Sequence, residues 1–134
     1  MLKKRIKYVD FDGNKREEDF FFHLMESEIA EMELSTAGGF TESIQRIIQS
    51  QDVPEIIRQF KTIILKSYGV KSPDGKRFIK NDALSKEFSE TNAYSKLFME
   101  LATDDEAASA FINGIVPEEL KADESKLSVL TNGN

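Results

Sequence analysis

The chain contains no cysteine, so disulfides, thiolate metal sites and a cysteine nucleophile are all excluded. It has one histidine, His23, which leaves no second imidazole for a triad or a metal pair. Positive charge is the minority sign. Eighteen Lys and Arg stand against 24 Asp and Glu, a net charge of −6, which argues against a nucleic-acid partner because phosphate affinity comes largely from cations. No run approaches the ~20 apolar residues that a membrane span needs. The basic start Met1-Leu2-Lys3-Lys4-Arg5 has no apolar stretch behind it, so it does not read as a signal peptide, and a cytoplasmic protein is expected. Tryptophan is missing while phenylalanine occurs ten times. Phe needs no hydrogen-bond partner, so it serves cores and apolar docking surfaces equally.

Hydrophobic residues make up 40% of the 134 and charged residues 31%, which suits one domain with a packed core and a strongly solvated surface. The pattern along the chain predicts a mainly helical α+β protein, a small helical bundle with an N-terminal β-hairpin. Residues 3–24 carry the hairpin. Ile6, Tyr8, Val9 and Phe11 form one strand, Asp12-Gly13-Asn14 the turn, and Phe20, Phe21 and Phe22 the second strand. If Ile6 and Tyr8 share a face with Phe20 and Phe22, opposed residue numbers sum to an even number. A three-residue loop at Asp12–Asn14 then sets Ile6 opposite Phe20 and Lys7 opposite Asp19, with Gly13 or Asn14 left-handed. Val9, Phe11 and Phe21 fall on the other face. The cluster Lys3, Lys4, Arg5 and Lys7 reads as a solvated strand face.

Helices follow. Residues 26–33 form an acidic one with Ile29 and Met32 inward, and Ser35 to Gly39 break it. Thr41 caps a helix carrying Ile44, Ile47 and Ile48. Asp52 caps the next, with Pro54 just inside its start. From Val53 to Tyr68, apolar residues at Val53, Ile56, Ile57, Phe60, Ile63, Ile64 and Tyr68 make one stripe, widened by Leu65, and this helix is expected at the centre of the core. Gly69 ends it. Residues 70–82 read as a loop around the turn Ser72-Pro73-Asp74-Gly75. A helix is expected at about 82–90. Thr91 caps another, with Tyr94, Leu97, Phe98 and Leu101 inward. Asp104, Asp105 and Glu106 place negative charge at the start of the last helix, which carries Ala107, Ala108, Phe111, Ile112 and Ile115 and stops at Pro117. Residues 1–117 are therefore expected as one domain and residues 118–134 as a flexible polar tail.

No reaction site emerges. His23 sits at a strand end and reads as structural. The acidic pairs Glu17-Glu18 and Asp104-Asp105 read as a charged strand face and a helix start. Phe11-Asp12-Gly13-Asn14 lacks the alternating ligands and closing Glu of a calcium loop. Gly75-Lys76 lacks the glycine that opens a phosphate loop. No catalytic, metal-binding or cofactor-binding residue is assigned, and no cofactor is expected.

Several strings carry a resemblance. These are Tyr8-Val9-Asp10-Phe11-Asp12-Gly13-Asn14, Glu18-Asp19-Phe20-Phe21-Phe22 and Glu28-Ile29-Ala30-Glu31-Met32-Glu33-Leu34-Ser35. Tyr68-Gly69-Val70-Lys71-Ser72-Pro73-Asp74-Gly75-Lys76-Arg77-Phe78-Ile79 continues it, and residues 94–103 and 110–115 close it. In this order they resemble the tail assembly chaperones of siphovirus-type bacteriophages and prophages of Gram-positive bacteria. The resemblance implies a non-catalytic protein of the infected or lysogenic host's cytoplasm that is absent from the mature virion. It also implies two partners, the tape measure protein and the major tail tube protein, whose subunits it helps recruit. It transfers no binding residue. From the residues themselves, Val9, Phe11 and Phe21 are the candidate partner-binding or self-association surface, since an exposed apolar cluster commonly marks one. The alternative is that this face packs under the chain's own helices. Two rival functions are a small phage or host adaptor or inhibitor that binds one folded partner, and a carboxylate enzyme.

Overall fold

The computed structural model describes residues 1–35 and 53–117, with positions 39, 42, 46 and 49 between them. The expected Thr41 cap, the Ile44, Ile47 and Ile48 stripe, the Asp52 cap and the tail 118–134 lie outside the described residues.

The hairpin forms from β1 (Leu2–Val9) and β2 (Lys15–Phe22). Its register differs from the expected one by two residues: Ile6 lies opposite Glu18 rather than Phe20, and Lys7 opposite Glu17 rather than Asp19. The cause is Asp10. Its carboxylate accepts the N–H groups of Asp12 and Asn14 at 3.0 and 2.9 Å, so the turn closes over residues 10–14 and β1 stops at Val9, while β2 begins at Lys15. Phe11 is thereby a loop residue. Gly13 takes the left-handed backbone (φ 84°). A slip of two preserves the facing of every side chain, so Ile6, Tyr8, Phe20 and Phe22 still share the inner face.

Residues 70–82, expected as a loop, belong in part to two short strands. The helix α2 (Val53–Ser67) gives way to β3 (Tyr68–Lys71), which turns through Ser72–Gly75 into β4 (Phe78–Ile79). Tyr68 is thus a strand residue. Ser67 closes the helix, its hydroxyl donating to the carbonyls of Ile63 and Ile64 at 2.7 and 3.1 Å. Gly69 is required by crowding rather than as a helix stop: a Cβ there would lie 2.6 Å from the Phe78 ring and 2.8 Å from the Ile79 carbonyl. Phe21 and Phe22 pair with Gly69 and Tyr68, producing a four-stranded antiparallel sheet in the order β1-β2-β3-β4. A two-stranded ribbon alone is barely stable in water, and the added strands remedy that.

The other described helices are α1 (Glu26–Ser35), α3 (Asp82–Ser89), α4 (Asn92–Thr103) and α5 (Asp105–Ile115). Each begins at a capping side chain or a first-turn acid. Asn81 accepts from Leu84 N, Thr91 from Tyr94 N, and Asp104 from the N–H groups of Glu106 and Ala107. The fold is the expected mainly helical α+β arrangement with an N-terminal hairpin. The helices bury one face of the sheet: Ile6 and Phe22 pack with Ile29, Met32, Ile63, Ile64, Phe88, Leu97, Leu101, Phe111 and Ile115.

Phe22 is the centre, 0% exposed. Its ring lies 5.8 Å from Tyr68, 5.7 Å from Phe88 and 5.2 Å from Phe111, measured between centroids. The α2 stripe is central only in its second half. Phe60, Ile63 and Ile64 are buried, while Val53 and Ile57 are exposed. Two backbone groups after Phe22 then satisfy helix ends: His23 N–H donates to the Ser67 carbonyl at 2.8 Å, and Leu24 N–H to the Ile115 carbonyl at 2.9 Å. Lys80 completes the joint, its Nζ bonding both Glu28 oxygens at 2.7 Å, the His23 carbonyl at 2.9 Å and the Lys66 carbonyl at 3.2 Å.

Two substitutions test this frame by denaturant titration. Phe22→Ala is expected to cost about 3–5 kcal/mol, since the site cannot collapse without moving three rings. A loss below about 1 kcal/mol would place the centre elsewhere. Lys80→Met is expected to cost about 1–3 kcal/mol by leaving the Glu28 carboxylate without its counter-charge, with only the Met25 N–H as partner, and by removing the donor to two carbonyls; the added change Glu28→Gln should restore part of it. A double variant less stable than the single one would contradict that account.

Candidate partner-binding surface

The outer face of the hairpin is set by strand alternation. It presents Lys3, Arg5, Lys7 and Val9 from β1, and Lys15, Glu17, Asp19 and Phe21 from β2. Its centre is a charge ladder. Arg5 bonds Glu17 at 2.9 Å and Asp19 at 3.1 Å, which raises the guanidinium pKa. Among the described residues no helix covers this face, so polar-out alternation is its expected state.

Val9 and Phe21 do share the face, as the even register requires, but the structure does not bring them together. Val9 pairs with Lys15 at one end of the ribbon, and Phe21 pairs with Lys3 at the other. Six residue steps separate them along β1, roughly 20 Å at about 3.3 Å per residue. Phe21 is half-buried, and the Lys71 ammonium sits 4.6 Å from its ring centroid. Val9 is 47% exposed and Phe11, on the loop, 79% exposed. The apolar surface is therefore divided into a tip (Val9, Phe11) and a base (Phe21), with charges between.

The tip is built on Asp10. Besides the two loop N–H groups, its carboxylate accepts Arg16 Nε at 2.6 Å. The Arg16 bond is the largest of the influences that hold the Asp10 carboxyl below its ordinary pKa, followed by the Asn14 N–H. On the inner face Tyr8 donates to Glu18, which raises the phenol. Beside the tip lies an open groove of about 430 Å3, lined by Lys7, Tyr8 and Val9 of β1, Lys15, Arg16 and Glu17 of β2, and Lys96 of α4. The sequence reading did not assemble this groove. Its signal was the concentration of six cations and two carboxylates within residues 1–16, in a chain that is acidic as a whole.

The remaining chemical candidates are structural in place. His23 meets the Phe78 ring edge-on, with centroids 6.2 Å apart. Glu17 and Glu18 point to opposite faces, and Asp104 is a helix cap. Gly75-Lys76 lies in a strand-to-strand turn, where Asp74 accepts the Lys76 N–H at 3.0 Å. Among the described residues, no group of His, Asp and Glu could hold a metal ion, and no helix is long and apolar enough to cross a membrane.

The lowered Asp10 pKa carries a sign. The loop's stabilisation by the carboxylate is complete above the ordinary value, near ~3.9, and is lost as pH falls through the lower folded value. An NMR titration of the Asp10 carboxyl should find a midpoint below the ordinary one, and Arg16→Gln should move it back up. A midpoint unaffected by Arg16→Gln would remove the ion pair from the account.

Comparison with curated proteins and with solved structures finds no match in either. Comparison with protein families does: the family described as phage tail assembly chaperone matches residues 1–129, nearly the whole chain, including the hairpin, the sheet and every described helix. The chain belongs to the phage tail assembly chaperone family.

Proposed function

We propose that this protein binds the tape measure protein during tail morphogenesis and helps recruit major tail tube subunits to it. It would do so without catalysis, in the cytoplasm of an infected or lysogenic host, and would be left out of the mature virion. The long, non-contractile tails of phages of Gram-positive hosts are the proposed setting. Membership of the family supports the general role. The observation that carries the binding reading is Phe11, a large aromatic side chain 79% exposed on a loop that Asp10 holds in one shape. A rigidly presented aromatic is what a binding anchor requires, because little ordering entropy remains to be lost on association. Val9 beside it and Phe21 at the base of the ribbon complete the proposed contact set, which serves self-association as the second option.

Co-expression with tape measure fragments and with tube protein tests this. The wild-type chain should co-purify with both. Phe11→Ser should weaken binding to tape measure fragments by about 1–3 kcal/mol with almost no change in unfolding free energy. Phe21→Ser should weaken binding too, at a small stability cost because its ring is half-buried. Full-strength binding by a variant carrying Val9→Ser, Phe11→Ser and Phe21→Ser would move the contact surface to the helices. Failure of the wild-type chain to retain any tape measure fragment would end the reading itself.

A further inference from the structure

We propose that the groove beside the hairpin tip is a docking site for an acidic peptide segment of a partner protein, one that alternates carboxylate and apolar side chains. The inference deepens the binding reading above by naming the partner's chemistry.

The groove holds four cations, Lys7, Lys15, Arg16 and Lys96, against a single carboxylate, Glu17. Glu17 is already occupied by Arg5 at 2.9 Å, and Arg16 by Asp10. Among the described residues, Lys7, Lys15 and Lys96 have no ion pair. Three lysines without an ion pair, from two strands and a helix, thus line one open groove, in a chain of net charge −6. Cations gathered this way focus a local positive field and favour an anionic ligand.

Two features select a peptide. First, Tyr8 and half-exposed Val9 give the groove an apolar wall that a bare anion would leave unused. Second, the volume of about 430 Å3 falls within the usual range for sites that hold organic ligands, roughly 300–1,000 Å3. Nucleic acid is disfavoured, because a long polyanion extends past the groove onto a surface whose net charge repels it. Lys7 and Lys15 are presented by hydrogen-bonded strands and Lys96 by a helix, so only their side-chain ends have to be fixed on binding.

The test uses the full chain and fluorescein-labelled peptides, read by polarisation. A short peptide alternating Glu and Leu should bind, and binding should weaken steeply as salt rises. A Glu and Ser peptide should bind at least tenfold more weakly, and a Lys and Leu peptide not at all. Lys7→Glu with Lys96→Glu should weaken the Glu and Leu peptide at least tenfold, and Val9→Ser by several-fold, with thermal melting confirming the fold. If the charge reversals unfold the chain, Lys7→Gln with Lys96→Gln replaces them, with a loss of at least threefold expected.

Equal affinity for the wild-type and the substituted groove would overturn the proposal. So would equal affinity for the Glu and Ser peptide, or tighter binding of a single-stranded oligonucleotide. A change in the sedimentation of the protein alone on substitution would overturn it as well, by assigning the groove to a second copy of this chain. If no peptide binds while tape measure fragments still co-purify, the groove fails and the chaperone reading stands. If the peptide binds as expected and no tape measure fragment is retained, the reverse holds.

Discussion

The junction at Phe22, His23 and Leu24 is the constraint on which the other elements depend. One ring closes the core against β3, α3 and α5, through Tyr68, Phe88 and Phe111. The next two N–H groups satisfy the C-terminal carbonyls of α2 and α5. Unsatisfied helix carbonyls are expensive once buried, so these two bonds favour the direction in which the chain leaves β2. Lys80 reads the same junction from outside, tying the His23 carbonyl to Glu28 of α1 and to the end of α2. Sheet, helices and connections meet within three residues, while at the far end of the hairpin Tyr8 still packs against the core and Asn92 holds the Val9 carbonyl.

That division explains which parts of the fold were legible in the sequence. The facing of the hairpin was readable because side-chain alternation needs only parity, and parity survives a slip of two. The register was not. It depends on a side chain, Asp10, competing with the backbone for the loop's N–H groups, and in sequence Asp10 looks like one more strand-flanking acid. The Thr91 cap and the acidic start of α5 were readable from residue type alone, while the capping role of Asp104 emerges only in the structure. The strands β3 and β4 were missed because they run only four and two residues. A segment that short has no periodicity to detect. Their pairing is decided by Phe21 and Phe22 reaching Gly69 and Tyr68 across more than forty residues of chain. The α2 stripe misled in a milder way. Spacing identifies a face, but it does not say how far along that face the neighbours extend, and Val53 and Ile57 are exposed.

The candidate surface shows the same split between local and long-range information. Alternation correctly set Val9 and Phe21 facing outward. Their separation by the length of the ribbon follows from register and was hidden with it. Lys96 could not have been placed in the groove from sequence, since α4 meets β1 only through tertiary packing and through contacts such as the Asn92 side chain donating to the Val9 carbonyl at 2.8 Å. Outside the tip, the outer face is an ion-pair ladder that contributes little stability, each exposed pair being worth about 0–1 kcal/mol. Its physical effect is to keep an uncovered sheet face from sticking indiscriminately.

Charge then acts on two length scales. A net charge of −6 keeps copies of the chain apart at distances up to the Debye length, about 8–10 Å at physiological salt, and fades beyond it. The cations around the tip act inside that distance. Lys7, Lys15 and Lys96 line one open groove, so the acidic segment proposed above would meet them together. An acidic body with a cationic pocket therefore resists association in general while permitting it at one place. The groove draws on the two-strand arm, whose tip Asp10 orders, and on Lys96 of α4.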